Sequence, residues 1–257
     1  MAAALAGGGD PLAAVVVLEA PAARAQRRPG IARALRLHAL RRLVSRQARQ
    51  AHRLWRLEQE AKAEFVRGAG PVPDWPKGVD QHHIPENEIN RASTAAWLCE
   101  RAPRLLAVAG SPILGGELLA VPRDGTLNMH SSLLPRYRGT RAEFWQVHNG
   151  DLDCAGLTIH YVDTSVDGGD IVRHHPLNPA PGDGPWLMRA RNQLGGLTIY
   201  PETVRAVLEG RTVRCPQPPV KERVYRYSDI TPDATRTVLK ILRQARRQQG
   251  RVNNGEV

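Results

Sequence analysis

The stretch Leu105–His130, LLAVAGSPILGGELLAVPRDGTLNMH, carries the alternation from which the fold is read. Leu105 to Ala109 is an apolar run of strand length, and Gly110-Ser111-Pro112 breaks it at once, so it predicts a buried strand with a loop at its carboxyl end. Ile113 to Val121 is compatible with a helix, Pro122 to Gly125 reads as a turn, and Thr126 to His130 returns to strand. A strand, a loop, a helix and a second strand in this order are the unit of an α/β sheet, whose ligands sit outside the carboxyl ends of its strands.

Working outward, Leu12 to Leu18 (LAAVVVL) is a second β-branched run, bounded by Asp10-Pro11 and Glu19-Ala20-Pro21, and it suits a strand buried on both faces. Ile31 to about Arg67 spaces Leu35, Leu40, Leu43, Leu54, Leu57 and Phe65 among arginines without an internal Pro or Gly, which predicts one long helix or two joined end to end. Gly68 to Pro76 ends it. The polar stretch His82 to Arg91 leads to a short helix over Ala92 to Arg101. On the carboxyl side, Gly156 to Val162 (GLTIHYV) alternates as a strand, and Ile171 to His175 begins another. Met188 to Glu209 predicts a helix covering the sheet, with Gly195-Gly196 as a weak spot or a close packing point. The expected fold is α/β, a doubly wound and mostly parallel sheet.

Composition narrows the function classes. The 257 residues are 42% hydrophobic and 24% charged, and no apolar run reaches the length that spans a bilayer. The opening MAAALAGGGD lacks a basic segment ahead of an apolar core, so export is not expected and the cytoplasm is the expected compartment. Cys99, Cys154 and Cys215 lie far apart, and neither a disulfide framework nor a zinc site is suggested. His82-His83 and His174-His175 lack partnering ligands at metal spacing and read as loop or surface residues; no metal is expected. The net charge of +11 is concentrated between Arg24 and Arg67 and between Arg236 and Arg251. It fits solvated helix faces, and it also leaves room for an RNA or other acidic partner.

The chemistry centres on Asn128-Met129-His130. Residues two apart in a strand share a face, so Asn128 and His130 point into one cleft while Met129 packs behind. Pro135 and Gly139 predict a turn-rich loop that frames the cleft, and Asp163-Thr164-Ser165-Val166-Asp167-Gly168-Gly169 permits a tight return that turns Asp167 inward. The plain alternative is that Asn128 and His130 satisfy backbone at a strand end. The segment LNMHSSLLPRYRGTRAEFWQVHNGD, followed by GLTIHYVDTSVDGGDIV, resembles the catalytic region of the 10-formyltetrahydrofolate-dependent formyltransferases. That family includes glycinamide ribonucleotide, methionyl-tRNA and sugar-nucleotide N-formyltransferases. Asn-x-His, Ser-Leu-Leu-Pro and Asp-Gly-Gly in this order are specific together, and the strong match covers roughly Leu105 to Val172.

The resemblance implies a Rossmann-like formyltransferase fold and a transferase of one-carbon metabolism that takes 10-formyltetrahydrofolate as formyl donor. It implies that Asn128 and His130 donate to the formyl oxygen and that Asp167 pairs with His130. Preorganised donors stabilise the oxyanion formed when an amine attacks a formyl carbon, and a nearby carboxylate favours a charged imidazole. Asp167 is also a candidate to accept the proton that the amine sheds. The pterin groove implied by the family falls on Gly110, Ser111, Pro112, Ile113 and Leu114 and on Val162, Asp163 and the residues up to Asp167; plain core packing is the alternative for Ile113 and Leu114. His160 either braces the loop or is a core histidine. The family's usual first strand and glycine loop have no counterpart here. Met1 to Gly9 reads as the end of the helix that would follow, and Gly7-Gly8-Gly9 as a turn rather than a phosphate cradle. The expected division is a catalytic domain over 1–210 and a short basic extension over 211–257. That extension is too short for the barrel domain of methionyl-tRNA formyltransferases, so a small-molecule amine, such as an amino sugar on a nucleotide, is expected ahead of tRNA. A formyltetrahydrofolate hydrolase or a non-catalytic binding protein would share the fold.

Overall fold

The computed structural model describes residues 12, 14–19, 38–71, 74, 77–180, 182–218 and 223–253. The expectations for Met1 to Gly9, for the triple glycine and for the start of the long helix before residue 38 fall outside them. Six strands and six α-helices are described: β1 (Ala14–Glu19), α1 (His38–Ala69), β2 (Asp80–Pro85), α2 (Ala92–Cys99), β3 (Leu106–Val108), α3 (Gly116–Leu119), β4 (Thr126–His130), α4 (Ala142–Asn149), β5 (Gly156–Tyr161), β6 (Ile171–Pro176), α5 (Pro185–Leu208) and α6 (Pro232–Asn253).

The α/β alternation is as expected. β1 and β2 pair in parallel, and a separate sheet runs in the order β3-β4-β5-β6. β3 and β4 are parallel with Val108 opposite Asn128, whereas β4–β5 and β5–β6 are antiparallel. The antiparallel end was not foreseen from the alternation. For β5–β6 it follows from the connection after β5, too short for the crossover of a dozen or more residues that a parallel return requires; the connection from β4 to β5 carries α4, and its length does not dictate the direction.

Three local readings are corrected. β2 lies in the stretch read as polar lead-in, because only Ile84 of that strand is buried and its sequence DQHHIP shows no apolar alternation. β1 is not buried on both faces: residues 14–18 are half-buried, since β2 is its one hydrogen-bonded neighbour among the described residues. The helix expected over Ile113 to Val121 shrinks to the four residues of α3. Asn90 is the reason, its Nδ2 donating to the Ile113 carbonyl at 2.9 Å and its Oδ1 accepting from the Gly115 amide at 2.7 Å, which holds the start of that segment as a loop.

The core falls into apolar clusters that place the site. Leu127, Ile159 and Tyr161 on one face of the larger sheet pack under Tyr200 and Val204 of α5. The Tyr200 hydroxyl lies 2.6 Å from the Leu127 carbonyl and 2.8 Å from that of Val108, so one buried side chain fixes α5 across β3 and β4. Gly196 is a close packing point, since a Cβ there would run into the Met129 sulfur. A second cluster joins α4, α5 and α6 through Phe144, Trp145, Met188, Val238 and Leu242. A third gathers Val16 and Leu18 of β1 with Leu106 and Val108 of β3 around Ile84, Leu98 and Leu118, although β1 and β3 do not pair.

Candidate active site

β4 supplies the first two groups. Asn128 is half-buried, His130 is 7% exposed, and the antiparallel register sets His160 of β5 directly opposite Asn128. His160 is almost fully buried, and its ring is oriented from both sides. Nδ1 lies 2.8 Å from the Tyr161 carbonyl, which can only accept, so that nitrogen carries the proton and Nε2 is left as an acceptor. The Asn128 Nδ2 sits 3.2 Å from this Nε2. One amide hydrogen of Asn128 is thereby spent on orientation, and the other remains to donate to a ligand.

His130 is held by the loop that follows it. The Leu134–Pro135 peptide is cis, and Tyr137 takes a left-handed backbone at φ 60°. The Tyr137 carbonyl lies 2.9 Å from His130 Nε2, which puts a proton on that nitrogen and turns Nδ1 toward Asp167 Oδ2, 3.4 Å away. The Tyr137 side chain anchors the loop by donating from its hydroxyl to Asp151 at 3.0 Å, and burial pushes its pKa up to about 12.

Asp167 arrives from the loop after β5, itself in a left-handed conformation at φ 49°. Gly169 permits that return, because a Cβ there would collide with the Tyr161 carbonyl. Asp167 Oδ2 accepts the Gly139 amide at 2.7 Å, and Oδ1 faces His160 Nε2 at 3.6 Å. Burial works against the charged carboxylate. The charge on His130 and the Gly139 amide outweigh it and bring the pKa down to about 2. Asn128, His130 and Asp167 thus converge, as the sequence reading placed them.

The residues read as a pterin groove divide. Val108 opposite Asn128 sets the loop after β3 at the same end of the sheet as the Asn128–His130 pair. Gly110 is exposed in a left-handed conformation at φ 69°, Ser111 and Pro112 are half-buried, and the Ile113 side chain is 76% exposed. Leu114 is different: at 7% exposure it belongs to the core beneath α3, so it is packing and not groove. The Val162 amide is used by the sheet, donating to the Thr126 carbonyl at 2.8 Å. Asp163 bonds the Ser165 amide at 2.7 Å, so this carboxylate shapes its own loop.

Several groups escaped the sequence reading. Backbone donors and acceptors at Gly139 and Tyr137 have no signature in side-chain identity. His160 did not escape it, being read as a loop brace or a core histidine, and its alternation with Thr158 in GLTIHYV puts it on the face of Asn128 once the two strands are known to pair. Glu143, the second residue of α4, is 2% exposed, lies close to Ser131, Arg189 and His130, and has its carboxyl pushed up by burial.

The family model described as formyl transferase matches residues 45–204. Among curated relatives, methionyl-tRNA formyltransferase of Geobacter metallireducens is 30% identical over 170 residues, covering 60% of this chain and 54% of that protein. The enzyme of the same name from Aromatoleum aromaticum is 36% identical over 141 residues, covering 54% of this chain and 43% of that protein. The chain therefore spans about half the length of these relatives. A sugar N-formyltransferase structure from a Shewanella species superimposes with a TM-score of 0.52 at 17% identity, over 63% of this chain and 67% of that one, and shares the fold. A family match across more than half of its length, on this fold and over this site, places the chain in the formyl transferase family.

Proposed function

We propose that the protein transfers a formyl group from 10-formyltetrahydrofolate to the amine of a small molecule, with a nucleotide-linked amino sugar as the acceptor class. The observation that carries this reading is the free amide hydrogen of Asn128 beside the His130–Asp167 pair, both held rigid before any substrate arrives. The folate supplies an activated formyl carbon. The exposed Gly110–Ile113 loop at the same sheet end is suited to a planar ring, with Ile113 as its apolar contact.

Asn128 donates to the oxygen that becomes negative as the amine attacks, and His130, held as a cation beside Asp167, adds positive charge next to it. Donors fixed in a water-poor site act without reorganisation. With its pKa near 2, the Asp167 carboxylate is a poor resting place for the proton that the amine loses. It orients His130; as the bond from the amine nitrogen to the formyl carbon forms and the bond from the folate nitrogen breaks, the amine's proton passes by way of solvent to the departing nitrogen.

Methionyl-tRNA is the second reading for the acceptor, favoured by the names of the curated relatives and by a groove of about 400 Å³ between α1 and α6 lined by Arg53, Arg56, Arg243, Arg246 and Arg247. Under either reading the cytoplasm is the proposed compartment. The test is to supply 10-formyltetrahydrofolate with a panel of nucleotide amino sugars and with methionyl-tRNA, and to follow the formylated product by mass spectrometry. Asn128→Ala, His130→Ala and Asp167→Ala should each lower turnover by about 100-fold or more, the usual effect of removing an oxyanion donor or its support. Formate released with no acceptor present would reveal a hydrolase. No product and no folate binding would overturn the proposal.

A further inference from the structure

We infer that Gln217, from the segment between α5 and α6, is a positioning residue of the active site: it ties together the two loops that deliver Asp167 and its backbone donor. The role rests on the formyl-transfer reading, but the geometry stands without it. The Nε2 of Gln217 donates to the Asp167 carbonyl at 2.9 Å and to the Gly169 carbonyl at 2.7 Å. Its Oε1 accepts from Arg138 Nη2 at 2.7 Å. Carbonyls only accept and a guanidinium only donates, so one orientation of the amide satisfies all three partners.

The contacts close a ring. Arg138 holds Gln217, Gln217 holds the backbone of Asp167 and Gly169, and the Asp167 side chain returns to the amide of Gly139, the residue next to Arg138. Each of the two loops turns left-handed where the ring grips it, with φ 49° at Asp167 and φ 97° at Gly139, and of the two only Asp167 carries strain. A non-glycine residue such as Asp167 keeps a left-handed backbone where its surroundings over-determine it. Gln217 supplies that determination from a third segment, and the segment is itself stitched down. Cys215 exchanges backbone hydrogen bonds with Ile171 of β6 at 2.9 and 2.8 Å, and Tyr225 does so with Arg138 and Thr140 at 2.9 and 2.8 Å.

Glutamine is the side chain this junction needs. Asparagine is a methylene shorter and could not span from Arg138 to both carbonyls. Glutamate would keep the partner for Arg138 and set a carboxylate against two carbonyl oxygens. The residue touches no reacting atom. It sets where Asp167 stands, and through Asp167 how His130 is turned.

The experiment compares the full chain with Gln217→Ala and Gln217→Glu in two readouts. Hydrogen exchange followed by mass spectrometry reports on the peptides covering residues 137–141 and 163–171, and formyl-transfer kinetics are measured across pH. Both variants should exchange faster in those two peptides alone, with the α5 peptides unchanged. Their kcat should fall about 10- to 100-fold, the scale of a small misplacement at a reacting centre, while KM for the folate stays within about twofold. Loss of activity at acid pH should begin at a higher pH than in the native chain, because a loosened Asp167 leaves the partners that keep it ionised. Unchanged exchange in both variants overturns the inference, as does Gln217→Glu behaving like the native chain. If the native chain transfers no formyl group but the two peptides still loosen, the clamp is upheld and the functional reading is what falls.

Discussion

Asp167 links stability to pH at the scale of a single side chain. Its folded pKa of about 2 lies below the ordinary 3.8, so the ionised carboxylate stabilises the folded state. That contribution is complete above the unfolded value and is lost as pH falls from about 4 toward 2. A shift of this size corresponds to roughly 2 kcal/mol. In urea titrations, Asp167→Asn should therefore be less stable than the native chain by about that amount at pH 7, and the gap should close as pH approaches 2. A gap that stays constant with pH would show that the side chain contributes by shape and hydrogen bonding rather than by charge.

Gly139 carries the same argument to the elements. Its φ of 97° and its approach to the Tyr225 carbonyl, into which a Cβ would run, let the loop after β4 pair with the segment leading to α6. Gly139→Ala should cost about 2 kcal/mol or more in thermal unfolding, through backbone strain and the loss of that pairing. It should also withdraw the amide from Asp167, so turnover should fall with stability. The glycine was legible as a turn in the sequence, and so were Asn128 and His130, because strand periodicity fixes which residues share a face. The apolar runs at Leu105 and Leu12, and the helix after Pro185, were legible for the same reason of patterning. β2 was not, since an exposed strand with one buried residue leaves no alternation to find. Nor was the short α3, because a single asparagine from a distant loop, Asn90, outweighs the local helical preference of Ile113 to Val121. Gln217 was beyond reach for a related reason: its meaning depends on two loops that only the folded chain brings beside it.

For the molecule as a whole, the positive charge is not spread evenly. Among the described residues, five arginines line the groove between α1 and α6, above Leu57, Leu239 and Leu242, and Glu60 is the one acidic residue of that lining. Glu60 lies 3.8 Å from both Arg56 and Arg246 and is shared between the two helices. Exposed pairs of this kind contribute little each, and the remaining like charges repel across the groove. Sulfate should therefore raise the midpoint of thermal unfolding more than chloride does at equal ionic strength, and the difference should shrink in an Arg243→Ser, Arg247→Ser variant. An equal response of both proteins would show that the groove binds no anion.

The packing of α6 gives this charge a further reach. Leu242, beneath the groove, shares one apolar cluster with Phe144 and Trp145 of α4 and with Tyr225, which pairs with the loop that holds Asp167. This continuity predicts a link between buffer composition and turnover: if desalting spreads the two arginine-bearing helices, the loop that bears Gly139 should slacken from behind, and activity should fade at low ionic strength before the protein unfolds.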